Sequence, residues 1–270
     1  MKKIIFGITA LLMSTAVMAE GIGLTINIDP IGYMNHTITT TYNGVGAFNK
    51  ELEQQLKATL GEGNLKVEDQ KQRDVYNAYA LGLDVRYSFF YLNLALGFPT
   101  KIYTSGFDPV AAAYPDAYKN SAKIGGTIIL DGQIGGGVDL MKLLKKNDKL
   151  SVYLGGGLAV NYVHVKRDIS KDSSLKILLG LNTEQRNIVQ MGLGLQAGVT
   201  YKFIPNVGIH VGLSDSLLFV KLYSQRKFTG TTSSGVTYSY FLTENGKDNE
   251  AIKYQFANNF VLRFGVGINF

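Results

Sequence analysis

The side chains able to act as a general base near neutral pH are few. They are His36, His164 and His210, and there is no cysteine anywhere in the 270 residues. The nearest nucleophile by position is Ser214, which shares a strand face with His210, and Asp215 follows it. Four residues along a strand separate His210 from Ser214 by about 13 Å, whereas a dyad needs hydrogen-bond reach. Asp215 faces the other way in a regular strand. No catalytic residue is therefore expected, and the chain reads as a non-enzyme. Carboxylates in the connections, such as Asp168, Asp172, Asp248 and Glu250, lack EF-hand spacing, so neither metal nor cofactor is expected. The glycine runs at 135–137, 155–157 and 192–198 match neither G-x-G-x-x-G nor a P-loop. In strands, glycine instead permits close approach or sharp curvature.

What would position these residues is a set of strands. Period-two alternation of large apolar side chains recurs in eight runs, at 22–28, 79–87, 92–98, 124–140, 152–162, 189–203, 207–213 and 260–270. The sixth is the most regular, with Val189, Met191, Leu193, Leu195, Ala197, Val199, Tyr201 and Phe203 on one face. Connections alternate in length. Residues 88–91, 141–149 and 204–206 are short links; those near 29–78, 99–123, 165–188 and 222–255 are long. That asymmetry belongs to outer-membrane barrels, with short periplasmic turns and long external loops. The fold expected is all-β: a transmembrane, up-and-down antiparallel barrel of eight strands, or ten if 222–255 supplies two more. Alternation through Val236, Tyr238, Tyr240 and Leu242 predicts that the last hairpin continues above the membrane.

A soluble eight-stranded barrel of the lipocalin kind would put the apolar face inside and charge outside. Here the second face is mostly Gly, Asn, Gln, Thr and Ser, as at Gln190, Gly192, Gly194, Gln196, Gly198 and Thr200. The apolar face therefore goes to lipid, and the polar face lines a cramped lumen. Eight strands leave an interior that side chains fill, which predicts a hydrogen-bonded plug. Its expected members include Asp84, Arg86, Asp131, Gln133, Gln190, Lys202, His210 and Arg263. An unpaired charge there costs several kcal/mol, so Arg263 should pair with Asp131 or Asp84, with Arg86 joining. His36 falls in the first long connection and His164 at the outer end of the fifth run. Within 29–78, Asn49 caps a predicted helix over 50–60, striped by Leu52, Leu56 and Leu60 and stopped by Gly61.

The first residues read as a secretory signal over 1–19. Lys2 and Lys3 precede a short apolar run, and Val17 and Ala19 stand at the small-residue positions before the cut. Residues 20–270 then form the barrel domain. No later stretch approaches the roughly 18 consecutive apolar residues of a membrane helix. A formal charge of +6 without a basic patch gives nucleic acid nothing to bind.

The final strand ends on Phe270, preceded at alternate positions by Ile268, Val266 and Phe264. With the leader and eight runs, the chain resembles the small bacterial outer-membrane barrels of the OmpA-domain, OmpX, OmpW and opacity-protein type. In those families such a terminal strand is the insertion signal that the barrel-assembly machinery reads. The resemblance implies outer-membrane localisation in a Gram-negative-type envelope, lipid and that machinery as partners, and a monomer. It implies envelope integrity, adhesion and contact with a host or environmental ligand through the loops. The alternative it carries is a narrow, OmpW-like channel for small or hydrophobic solutes. The first loop is longer than these families usually show. Deleting Phe270 should lower the amount of protein reaching the cell surface more than the heat stability of barrels already formed. Surface labelling beside a thermal melt checks this, and equal surface levels would refute it.

Overall fold

The computed structural model describes residues 23–42, 70–106, 126–144, 149–168, 181–231, 235–241 and 252–270. The expected signal peptide with its cut at Val17 and Ala19, the helix over 50–60, and Ile124, Asp172, Asp248 and Glu250 lie outside them. Nine strands and one short helix are described: β1 (Leu24–Tyr42), β2 (Gln70–Tyr87), β3 (Phe90–Gly106), β4 (Ile128–Asp139), α1 (Leu140–Leu143), β5 (Leu150–Asp168), β6 (Leu181–Ile204), β7 (Val207–Thr231), β8 (Thr237–Phe241) and β9 (Ile252–Asn269). Each of β1 to β7 pairs antiparallel with the next, β7 pairs with β9, and β9 closes on β1. The ring holds eight strands. β8 stands outside it and, among the described residues, pairs only with the outer end of β7, from Lys227↔Phe241 to Thr231↔Thr237. The last hairpin thus continues beyond the ring, as its alternation predicts.

The outer face is apolar, with Tyr79, Leu81, Leu92, Ile134, Leu158, Leu195 and Ile209 among the exposed residues. The inner face carries Asn27, Asp84, Asn93, Asp131, Asn161, Gln190, Gln196 and Arg263, all buried. Exposed apolar rows on every strand of a closed ring identify a membrane-spanning barrel, because lipid is the one solvent in which that exterior costs nothing.

The strands run beyond the bounds expected for the connections. β1 continues from residue 29 to Tyr42, β2 begins at Gln70, β3 reaches Gly106, β5 and β6 extend to Asp168 and from Leu181, and β7 runs to Thr231. The cause is a reversal of pattern that hides the strand. On β1 the register shifts between Asp29 and Tyr33, around Pro30, whose missing N–H is tolerated at a bulge. The even positions Ile26 and Ile28 face outward before it, whereas Met34, His36, Ile38 and Thr40 face inward after it. His36 is accordingly a buried lumen residue and not a loop residue. On β3 a similar shift at Pro99 turns Ile102 inward.

The interior is also less uniformly polar than expected. Met34, Ile38, Ala78, Val163, Val165 and Ile188 belong to one buried apolar cluster inside the barrel. On β1, β5 and β6 its members alternate with outward Asn35, Thr37, His164, Lys166 and Asn187. There the barrel has the face preference of a soluble one, polar outside and apolar inside. Strands of 17 to 25 residues, as in β3 and β7, exceed the roughly 9–11 that cross a bilayer, so their outer parts stand in water.

The link between β4 and β5 is short because α1 turns it. The Asp139 carboxylate accepts from the Met141 and Lys142 N–H groups and from Ser151 Oγ. Gly135 and Gly157 face each other across the β4–β5 ladder. A Cβ on Gly157 would collide with the Ile134 carbonyl oxygen and the Gly135 Cα. Both obstacles are backbone and cannot rotate away. Gly157→Val should therefore abolish the folded, heat-modifiable band on unboiled gels, while Gly156→Ala, whose new Cβ would meet only atoms at 3.6 Å, should retain it.

Candidate functional site

The site is the lumen, and it is bridged at successive levels. Nearest the short-turn end, Asp84 Oδ2 accepts from Arg86 Nε at 3.0 Å and Nη2 at 2.6 Å, and from Asn27 Nδ2 at 3.3 Å. The Arg86 guanidinium lies 4.1 Å from the centroid of the Tyr153 ring, which meets Tyr91 edge-on. Gly137 and Gly155 leave the space these rings fill. Gln196 on β6 then donates from Nε2 to Asp84 on β2. β2 and β6 are fourth neighbours in a ring of eight, so this bond spans the full diameter.

A second bridge joins β4 to β7. Gln133 Nε2 donates to Ser216 Oγ at 2.8 Å, and Ser216 Oγ donates to Asp131 Oδ2 at 2.9 Å. Asn161 Nδ2 donates to Asp131 Oδ1 at 3.2 Å. A third bridge crosses from β6 to β2 again: Arg186 Nη1 lies 2.7 Å from Asp74 Oδ2, to whose other oxygen Gln72 donates at 3.0 Å. Beside it, Arg226 Nε donates to Glu184 Oε1 at 2.6 Å. Gln190 Nε2 reaches the Gln255 carbonyl at 3.5 Å.

Arg263 differs from the expectation. It is fully buried, and its nearest carboxylate is Asp29 on β1, with Nη1 to Oδ2 at 3.7 Å. Asp84 is taken by Arg86, and Asp131 by neutral donors. Two glycines make the room: a Cβ on Gly82 would strike the Arg263 side chain, and one on Gly265 would strike Asp29. Asp29 Oδ2 also lies 4.0 Å from His210 Nε2, while His210 Nδ1 is 2.9 Å from Thr200 Oγ1. Lys202 stands apart, half-buried beside the β6–β7 turn and outside the bridges. Asp29, Asp74, Glu184, Arg186 and Arg226 carry three of these contacts, yet all five fall in the stretches expected to be connections. The signal that could have found them is that Glu184 and Arg186 fall on the same even positions as Gln190 and Gln196, on the inward side of one strand.

The terminal strand has Phe264, Val266 and Phe270 exposed on its outer face, with Ile268 half-buried beside them. The Phe270 N–H donates to the Leu24 carbonyl at 2.8 Å, so it joins the seam where the ring closes.

No family model and no curated protein matches the chain. Among solved structures, the outer membrane protein OprG from Pseudomonas aeruginosa aligns over 93% of this chain and 97% of its own, at 11% identity and a TM-score of 0.48. A major outer membrane protein from Thermus thermophilus aligns over 89% and 99%, at 13% identity and 0.40. The outer membrane protease OmpT from Escherichia coli aligns over 93% and 97%, at 8% identity and 0.39. At these identities and scores the likeness transfers neither a family nor an activity.

Arg263→Leu strips Asp29 of its counter-charge and should cost about 3–5 kcal/mol in reversible unfolding from lipid vesicles. Adding Asp29→Leu should restore most of the loss, whereas adding Asp131→Asn should not. Rescue by the second pair instead would make Asp131 the partner.

Proposed function

We propose that this chain is an outer-membrane barrel with a closed, cross-braced lumen. It acts without catalysis, in envelope integrity and in surface contact with host or environment through its long-loop end. One observation carries the reading: Asp84 and Asp74 on β2 are each bridged to the opposite wall, by Gln196 and Arg186 on β6. Any solute path through the lumen would have to break both bridges and the Asp131–Ser216–Gln133 bridge. Each is buried, where a charged group left unpaired costs more than an exposed one. A cross-braced barrel presents a rigid platform, and β7 with β8 forms a ribbon rising from it. The apolar cluster lends the solute-channel alternative little support, since it lies where the exterior turns polar and serves as the core of the projecting part.

In planar bilayers the refolded protein should give no steady single-channel steps. The combined variant Asp84→Ala, Gln196→Ala, Ser216→Ala should leak. Reproducible unitary conductance from the unaltered chain would replace the closed-lumen reading with the channel.

A further inference from the structure

Among the described residues, one side-chain carboxylate points out of the barrel among exposed apolar side chains, close to the level at which β1, beside β9, turns polar outside at Asn35 and Thr37. Asp29, Asp74, Asp84, Asp131, Asp139 and Glu184 are buried, and Asp168 is exposed at the outer end of β5. Asp215 instead lies half-buried on the outer face of β7, between the exposed Leu213 and Leu217. Its ladder neighbours are Leu195 on β6 and Phe260 on β9, both exposed. Asn258 on β9, flanked by exposed Phe256 and Phe260, donates from Nδ2 to Asp215 Oδ1 at 2.6 Å.

Lysine and arginine at a lipid boundary extend their long stems to bring the charge to the interface. Lys71, Arg73, Lys101 and Lys166 have that option near the long-loop end of the exterior. An aspartate has one methylene and does not. An ionisable group held at a lipid face is costly and marks a site whose partner should be sought. Asn258 satisfies one oxygen of Asp215. What remains is an open acceptor, Asp215 Oδ2, beside an open donor, the second N–H of Asn258. That pair is its own complement under a two-fold rotation: each Asn258 meets the partner's Asp215, twice over, with the leucines and phenylalanines around them pressed together. A contact made by the same patch on both copies closes on itself.

We propose that the wall formed by β6, β7 and β9 around Asp215 and Asn258 is a self-association surface through which two copies of this chain join within the membrane. The inference goes beyond the closed-lumen reading and replaces the expected monomer.

The absence of cysteine makes the test clean. Leu217→Cys places one thiol beside the patch, and Leu92→Cys places one on β3, across the ring from β7. In lipid vesicles under mild oxidant, Leu217→Cys should give a crosslinked dimer and Leu92→Cys should not. Adding Asp215→Leu, or separately Asn258→Leu, should lower the crosslinked fraction by about tenfold or more. The heat-dependent gel shift should remain in each variant, showing that the barrel has folded. No dimer from Leu217→Cys, equal crosslinking from Leu92→Cys, or a dimer indifferent to both leucine substitutions would each overturn the proposal. None of these outcomes depends on whether the lumen conducts.

Discussion

No water reaches a backbone amide in the middle of a bilayer, so each N–H and C=O of a crossing strand must be met by another strand. Everything else in this molecule follows from that requirement. It forces the last strand to find the first, which is why β9 pairs with β1 along its length while also holding β7. It also explains why the Phe270 N–H donates to the carbonyl of Leu24. A ring of eight in turn fixes the width of the lumen, and a narrow lumen must be filled by side chains rather than water.

How it is filled depends on charge. Acids and bases cannot be buried singly, so they come in pairs or with several donors: Asp84 with Arg86, Gln196 and Asn27; Asp74 with Arg186 and Gln72. The larger groups need matching absences on the facing strands. Glycines 137 and 155 accommodate Tyr153 and Tyr91, Gly82 accommodates Arg263, and Gly265 accommodates Asp29. Within the glycine runs that suggest a nucleotide loop at first sight, Gly137, Gly155, Gly194 and Gly198 make room for plug side chains, and Gly135, Gly157 and Gly192 let neighbouring backbones approach closely. A phosphate cradle would need the same glycines ahead of a helix, and these lie inside strands.

The belt-crossing parts of the strands were legible because lipid imposes one simple rule on alternate residues. β6 shows this best: Leu193, Leu195, Val199, Tyr201 and Phe203 are all exposed and Gln190 and Gln196 are buried. The partner of Arg263 was not legible, because Asp29 lies on the neighbouring strand β1, far away in sequence, and only the closure of the ring brings the two side by side. Asp29 also sits at the residue before a phase break. The upper half of β1 escaped for the same reason. Thr37, Thr39 and Thr41 on the outer face give no apolar signal, and the inward Met34 and Ile38 fall on the parity that had marked lipid-facing residues lower down.

That parity is itself informative. Ile26, Ile28, Met34 and Ile38 are all even-numbered, yet the first two face out and the last two face in. A strand that kept a perfect ladder would have carried Met34 and Ile38 out to the polar exterior and Asn35 and Thr37 into the interior. The bulge at Pro30 turns the apolar row from the outside of the barrel to its inside, near the level at which the surrounding solvent changes from lipid to water. Pro99 on β3, opposite Ala78, performs the same turn for Ile102. The two prolines therefore separate a lower barrel built inside-out for lipid from an upper barrel built with an apolar core for water, and one continuous set of strands serves both.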